Sequence, residues 1–476
     1  MKEMPPASID LIYLDPPFNS NRDYNAIYKD ETGRQLPDQI DAFCDTWQLD
    51  EERERAIRDM PILMEQHGID SAVIQFWDFW TQALRNTQPK LLAYLSYMTE
   101  RLLPMKHLLK PTGSIYLHCD PTASHYIKIM MDVIFGDKNF LNEIIWGYRT
   151  GGVSKRYFSR KHDILLFYAG GKNYTYNPQQ EKAYTKSKNR KAGVVNYGAG
   201  EAEFYEDAEG VYNIVNMRDI WEISYLNSQA KERLGYATQK PLALLERIIK
   251  ASSNEGDVVF DPFCGCATTI EAAQNLGRKW IGVDIAIHAI KRVSQARLQD
   301  RLGLIDGQDY MIEGIPRTIE GARDLWERDK YHFQKWAVEQ VDGFVTTKRT
   351  ADGGIDGRLY FTQTDSDKEL SSMVLEVKGG KNVGISTVRN LRGVLESNTA
   401  LMAGLIVLEP LGERKLANFK SEMAQAGDLE VNGVKYPRMQ ILSIADIFDN
   451  RRFEIPSPVK AVGEAQPNLL LGESNR

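Results

Sequence analysis

Three groups of residues in this 476-residue chain have types and spacings suited to chemistry. The first is Asp15-Pro16-Pro17-Phe18, directly after the apolar run Ile9–Leu14. Proline fixes φ and lacks a backbone donor, so the turn keeps one carboxylate and carbonyls that can only accept hydrogen bonds. Asp15 and the carbonyl of Pro16 suit an exocyclic NH₂ group, whose nitrogen lone pair they would aim at an incoming methyl group. Phe18 offers a face on which a base can stack. A plain strand-ending turn uses the same residues, and the motif alone does not separate the two readings. The second group is Val258-Val259-Phe260-Asp261-Pro262-Phe263-Cys264-Gly265-Cys266-Ala267-Thr268, which reads as a strand, a small-residue turn and a helix start. Such a turn lets a cofactor approach the backbone, and Asp284, about twenty residues further on, is placed to accept from ribose hydroxyls. Any doubly wound nucleotide-binding unit shares this pattern.

The third group lies in the C-terminal region. Asp352-Gly353-Gly354-Ile355-Asp356-Gly357 leads into a strand at Arg358–Phe361, and Met373-Val374-Leu375-Glu376-Val377-Lys378-Gly379-Gly380 forms another. Alternate side chains of a strand share a face, so Glu376 and Lys378 point together. With Asp356 opposite, two carboxylates could hold Mg²⁺ while Lys378 positions water or stabilises developing phosphate charge. An exposed strand with surface charges is the bland alternative. Glu339, on a helix upstream, suits either an assisting acid or a helix surface.

The elements that must position these groups follow from periodicity. Through about residue 300, apolar strand-like runs alternate with amphipathic stretches, the pattern of a parallel α/β sheet. Strands are expected at Ile9–Leu14, Ser114–His118, Val258–Phe260 and Trp280–Val283. Helices are expected at Leu91–Leu109, Ala123–Phe135, Thr268–Leu276 and Ala286–Leu302. Between Thr150 and Asn227 the pattern breaks into a polar stretch with one strand, Ile164–Tyr168, and reads as an insertion rather than core. The expected division is 1–310 with an insertion at 150–227, a connector at 311–325, a second domain at 326–455 and a mobile tail at 456–476.

Tyr236-Ala237-Thr238-Gln239-Lys240-Pro241-Leu242 precedes a helix that leads into the glycine turn. Together with D-P-P-F and D-P-F-C-G-C-A-T, this segment resembles the β-group amino-methyltransferases of DNA, in which the catalytic motif precedes the cofactor motif. The likeness covers nearly all of residues 1–300, including Gly113–Asp120 and Lys161–Tyr168. It implies a Rossmann-like α/β sheet and methyl transfer from S-adenosylmethionine to an amino group of a base extruded from double-stranded DNA. D-P-P-F favours adenine N6 over cytosine N4. By the same resemblance, Asp261, Phe263, Gly265 and Thr268 belong to the cofactor site, Asp284 meets the ribose, and Thr238, Lys240 and Pro241 lie nearby. The region 150–227 would recognise the target.

Two departures stand out. Ala267 replaces the second glycine of the family's turn, a small change if φ there is negative. The strand and Gly-Asp-Asn-Leu-like turn that normally precede D-P-P-F are missing, since only Met1–Leu14 come before it. A start assigned too late and a truncated cofactor pocket both explain this.

The G-I-D-G and E-V-K-G-G pair, behind a helix containing Phe333 and Trp336, resembles the Mrr-like nucleases of the PD-(D/E)xK fold over Tyr331–Leu411. The resemblance implies a smaller α/β endonuclease-like domain using Mg²⁺. His118 and Cys119 read as core packing, Cys264 and Cys266 as small residues in a tight turn, and Trp326 and Trp336 as core of the second domain.

Bulk composition is consistent with these readings. The net charge is −6, so a DNA enzyme must gather its cations locally. Lys155-Arg156, Arg160-Lys161 and the run from Lys182 through Lys191 are such clusters. Apolar runs such as Ile164–Phe167 are far short of the roughly 20 residues of a membrane span. No signal core follows Met1, and the four cysteines form no C-x-x-C pattern, which suits a reducing cytoplasm. The reading is a methyltransferase fused to a nuclease, restriction and modification in one chain. Its rivals are an orphan methyltransferase whose second domain only binds DNA, and a DNA-binding remnant lacking the first strand. Relatives are often dimers, so a homodimer is compatible with the sequence.

Overall fold

The computed structural model describes residues 4–17, 23–26, 28–29, 40–44, 47–148, 154–187, 190–197, 201–226, 230, 232–234, 239–284, 290, 297–345, 354–363, 370–380, 383–397, 400–458 and 462–463. Two compact units result. One comprises Met1–Arg22, Cys44–Arg233 and Thr238–Ile285, and the other Asp23–Phe43, Leu234–Ala237 and Ala286–Arg476. Among the described residues, no helix is long and apolar enough to cross a membrane.

The first unit is built on a seven-stranded sheet. In chain order its strands are β1 (Ile9–Leu14), β2 (Leu109–Cys119), β3 (Phe140–Gly147), β4 (His162–Ala169), β5 (Ile220–Glu222), β6 (Val258–Asp261) and β7 (Lys279–Gly282). Their spatial order is β5-β3-β4-β2-β1-β6-β7. β1 is parallel to β2 and to β6, and β6 to β7, while β4 runs antiparallel to β2 and β3. Strand alternation sorts side chains onto two faces. Ile12, Leu14, Ile115, Leu117, Ile164 and Leu166 bury one face against helices α1 (Glu51–Gln66), α2 (Ser71–Thr87), α3 (Pro89–Leu108) and α4 (Ser124–Phe135). Leu11, Tyr13, Tyr116, Leu165, Phe167 and Val259 bury the other against α5 (Leu242–Ser252) and α6 (Thr268–Asn275).

The structure departs from the sequence reading in several places. Segment 150–227 is not wholly an insertion, because it supplies β4, at the centre of the sheet, and β5, at its edge. Only Gln180–Tyr184, Gly193–Asn196, Glu201–Asp207 and Gly210–Asn216 form a separate antiparallel sheet. Its strands are mostly exposed or half-buried, with Phe204 the buried residue of Glu201–Asp207, which hides them from a search for apolar runs. Helices α1 and α2 had no counterpart in the sequence reading. The helix expected at 286–302 lies largely outside the described residues.

The second unit holds a five-stranded sheet ordered β8 (Phe344–Val345), β9 (Gly357–Phe361), β10 (Ser371–Lys378), β11 (Met402–Val407) and β12 (Met439–Ser443). The first three strands are antiparallel and the last three parallel. Helices α7 (Ile319–Arg328), α8 (Lys330–Gln340) and α11 (Ile444–Phe448) contribute to one core, α9 (Ile385–Ser397) and α10 (Glu413–Met423) to the other. Trp336 is fully buried and Trp326 packs beside it. The expected connector 311–325 is partly core, since Ala322 and Leu325 are buried in it. The expected tail starts too early: the Thr362 N–H donates to Ser457 O at 3.1 Å, and Phe361 bridges Pro458.

Candidate active site and a second acidic site

Asp15 follows the C-terminal end of β1, where parallel strands present ligands to a crevice. Lys240, two residues before α5, donates to Asp15 Oδ2 in a pair whose side chains are only 10% and 14% exposed. Burial pulls the Lys240 ammonium down, but the Asp15 carboxylate more than offsets this and holds it above the ordinary lysine range. The other oxygen, Asp15 Oδ1, is buried and has no hydrogen-bond partner among the described residues. Burying a carboxylate oxygen without a donor is costly, so this atom marks a place for an incoming N–H. Pro16 is buried and Pro17 half-buried beside it; Phe18 lies outside the described residues.

His118, on β2, is not simple packing. It is fully buried; its Nδ1 lies 2.9 Å from the Tyr13 hydroxyl and its Nε2 3.3 Å from Asp163 Oδ2. Tyr148 donates to the other oxygen of Asp163 at 3.1 Å. Burial works to raise the Asp163 carboxyl, yet the His118 hydrogen bond and nearby positive charge hold it below the usual carboxylate range. Burial pushes the Tyr13 phenol well up, with the Asp15, Asp261 and Asp163 carboxylates adding to it. The sequence reading missed this network, whose signal was a buried histidine on a strand next to the one carrying D-P-P-F.

The turn after β6 is held from below. Asp261 is 3% exposed, and its carboxylate accepts from the Phe263 N–H at 3.0 Å and from the Thr269 hydroxyl at 2.5 Å. Burial raises its pKa to about 7 despite those bonds. Asp261 therefore shapes the turn from beneath. Asp284 Oδ2 accepts from the Gly265 N–H at 2.8 Å. Phe263, Cys264 and Gly265 are half-buried, whereas Cys266, Ala267 and Thr268 are buried. Burial drives the Cys264 thiol well up, which fits a small residue rather than a nucleophile. At Ala267 φ is +55° and ψ 38°, left-handed backbone that favours glycine. The substitution is therefore not the small change a negative φ would have made it. Tyr97 of α3 approaches the Phe263 ring at 6.4 Å, with the Arg101 guanidinium 3.3 Å from the Tyr97 ring centre. Gln239, Lys240 and Pro241 lead into α5; Thr238 lies outside the described residues.

In the second unit, the pairing Gly357↔Leu375 sets Asp356 across from Glu376 on one face. Asp356 Oδ2 accepts from the Val377 N–H at 2.7 Å, and Lys378 Nζ lies 2.8 Å from Glu376 Oε1. Glu376 is buried at 8% exposure and Glu339 is half-buried on α8. Among the described residues, no group of three or more His, Cys, Asp or Glu is gathered to hold a metal. Magnesium, however, usually takes one or two carboxylates and completes its shell with water and substrate phosphate, so the Asp356–Glu376 pair fits that use.

The polar segment 154–219 brings aromatic and basic groups together. Phe158, ahead of β4, is 98% exposed, Lys182 lies 4.4 Å from the Tyr212 ring centre, and Arg190 lies 4.7 Å from that of the buried Phe204. Lys182 is also paired with Asp207 at 2.6 Å.

The chain is 31% identical over 285 residues to the type II methyltransferase M.HpaI of Haemophilus parainfluenzae, covering 58% of this chain and 81% of that protein. M.EcaI of Enterobacter cloacae is 31% identical over 51% of this chain and 65% of its own length. The DNA adenine methyltransferase YhdJ of Escherichia coli is 26% identical, over 61% and 76%. Residues 9–295, which contain the Asp15 turn, Lys240 and the Asp261–Thr268 turn, match the DNA methylase family N6_N4_Mtase, and the chain belongs to that family.

Proposed function

We propose that the first unit transfers a methyl group from S-adenosylmethionine to N6 of adenine in double-stranded DNA. The observation that carries this reading is the buried Asp15 Oδ1 beside Pro16, which has no hydrogen-bond partner among the described residues. A target amine would donate one N–H to Asp15 Oδ1 and the other to the Pro16 carbonyl, which leaves its lone pair directed away from both. S-adenosylmethionine supplies the electrophilic methyl group when bound. As the nitrogen gains positive charge, the Asp15 carboxylate stabilises it, and Lys240 keeps that carboxylate from rotating by occupying Oδ2; the products would be S-adenosylhomocysteine and the methylated amine, which releases one proton to water. The half-buried Phe263–Gly265 turn, the start of α6 and Asp284 suit the cofactor's nucleoside. The exposed basic and aromatic groups of 150–227 suit target recognition once the base leaves the stack.

The second unit is proposed as a Mg²⁺-dependent endonuclease, making one chain of a restriction-modification pair. Asp356 and Glu376 would hold the metal, and Lys378 would orient water or steady phosphate charge. The test is radiolabelled methyl transfer to DNA, followed by nucleoside analysis, together with a Mg²⁺-dependent cleavage assay on unmethylated DNA. N6-methyladenine that disappears with Asp15→Ala, and cleavage that disappears with Asp356→Ala or Lys378→Ala, are the expected results. N4-methylcytosine would shift the substrate to cytosine, no transfer at all would overturn the methyltransferase reading, and no cleavage would leave the second unit as a DNA-binding module.

A further inference from the structure

Tyr13, Asp15, His118, Asp163 and Trp146 come from four neighbouring strands, yet share one face of the sheet. The residues of the same parity on those strands (Leu11 and Tyr13, Tyr116, Leu165 and Phe167, Trp146) all belong to a single core on that side. His118 sits at the centre of this row, with Trp146 edge-on at 5.5 Å and 74°. Its two ring nitrogens face chemically different neighbours. Asp163 is acceptor-only when ionised, so the neutral imidazole carries its hydrogen on Nε2. Nδ1 is then a lone pair and takes the Tyr13 O–H at 2.9 Å. Asp15 Oδ1 lies 3.7 Å from the same Nδ1, beyond hydrogen-bond range and facing an atom with nothing to donate.

We infer that His118, held by Tyr13 and Asp163, is a positioning residue that keeps the Tyr13 hydroxyl and its own ring N–H turned away from Asp15 Oδ1, reserving that atom for the target amine. This rests on the methyl-transfer reading above. Were the imidazole hydrogen on Nδ1, the ring would donate to Asp15 Oδ1 after a shift of well under 1 Å, and the amine would lose its acceptor. Were His118 absent, the Tyr13 O–H would lose its own acceptor and turn to the same oxygen. The Tyr13–His118 bond therefore satisfies two donors that would each compete with substrate. Lys240 remains on Oδ2 throughout.

Two measurements test this. In ¹⁵N-histidine-labelled protein, with His118 assigned by comparison with His118→Gln, the wild type should show the Nε2–H tautomer, and Tyr13→Phe should move the ring toward Nδ1–H. This readout needs no enzymatic activity. A wild-type Nδ1–H signal overturns the inference whether or not the chain methylates DNA. In steady-state methyl transfer, Tyr13→Phe and His118→Leu should each lower kcat about ten- to hundredfold, with KM for S-adenosylmethionine unchanged. The double variant removes both competing donors, so its kcat should exceed that of either single variant. A double variant as slow as the slower single, or slower, assigns the pair a merely structural role and overturns the inference. Absence of transfer by the wild type with the expected tautomer present would fail the parent reading and leave the hydrogen-bond assignment standing.

Discussion

Replacing Asp261 by Asn should stabilise the protein at alkaline pH and much less at acid pH. Asp261 is buried beneath the Phe263–Thr268 turn, and burial lifts its folded-state pKa from the ordinary 3.8 to about 7. A raised carboxyl pKa means the folded state binds the proton more tightly than the unfolded chain does. The wild type therefore loses stability as pH rises from about 4 to about 7, and above that the loss is complete. Integrating the linkage between pH 5 and pH 8, with the carboxyl titrating at 3.8 unfolded and about 7 folded, gives a loss of about 2–3 kcal/mol. Asn removes the titration while its Oδ1 can still accept from the Phe263 N–H, and its amide can donate to the Thr269 oxygen. Urea unfolding of wild type and Asp261→Asn at pH 5 and pH 8 measures the effect. The variant's advantage should grow by about 2–3 kcal/mol between the two conditions. An advantage that is the same at both, within about 0.5 kcal/mol, would show that Asp261 does not resist ionisation beneath the turn.

Other substitutions probe other parts. Lys240→Met strands the Asp15 carboxylate where its side chain is 14% exposed, which should cost about 3 kcal/mol and lower the melting temperature by roughly 10 °C. Calorimetry checks this, and methyl transfer should fall with it. At Ala267, Val should cost several times the roughly 1 kcal/mol separating Ala from Gly, because a β-branched side chain is an outlier at φ +55°; thermal melts of Gly and Val variants give the ranking. Gly379→Ala would set a methyl carbon 2.2 Å from the Trp326 ring. It should destabilise the second unit by about 1–3 kcal/mol, read as a lowered urea midpoint for Trp326 burial. This close approach explains why glycine follows Lys378.

The legible parts of the chain were those whose physics is local. Asp15-Pro16-Pro17 declares itself because prolines set φ and strip donors whatever surrounds them. The Phe260–Thr268 turn declares itself by small residues between a strand and a helix. Glu376 and Lys378 follow from two-residue alternation in a strand, and their pairing with Asp356 needed only one hairpin-like register. Less legible were elements whose burial depends on partners. β4 looked like the lone strand of a polar insertion because its neighbours β2 and β3 lie elsewhere in sequence. The strands of the small sheet escaped because half of their residues face solvent.

The sequence by itself determined which groups stand out as candidates: an acceptor-only turn, a small-residue turn between strand and helix, and a carboxylate–lysine strand. The tertiary structure alone decided what state those groups are in. It brought Lys240 onto one oxygen of Asp15 across 225 residues and left the other oxygen without a hydrogen-bond partner among the described residues. It turned Asp261 beneath the turn and gave Ala267 a positive φ. It also aligned Tyr13, His118 and Asp163 on one face of the sheet. The reason is that hydrogen-bond occupancy and desolvation belong to pairs of atoms, and sequence does not specify how distant pairs meet until strand order and register are set.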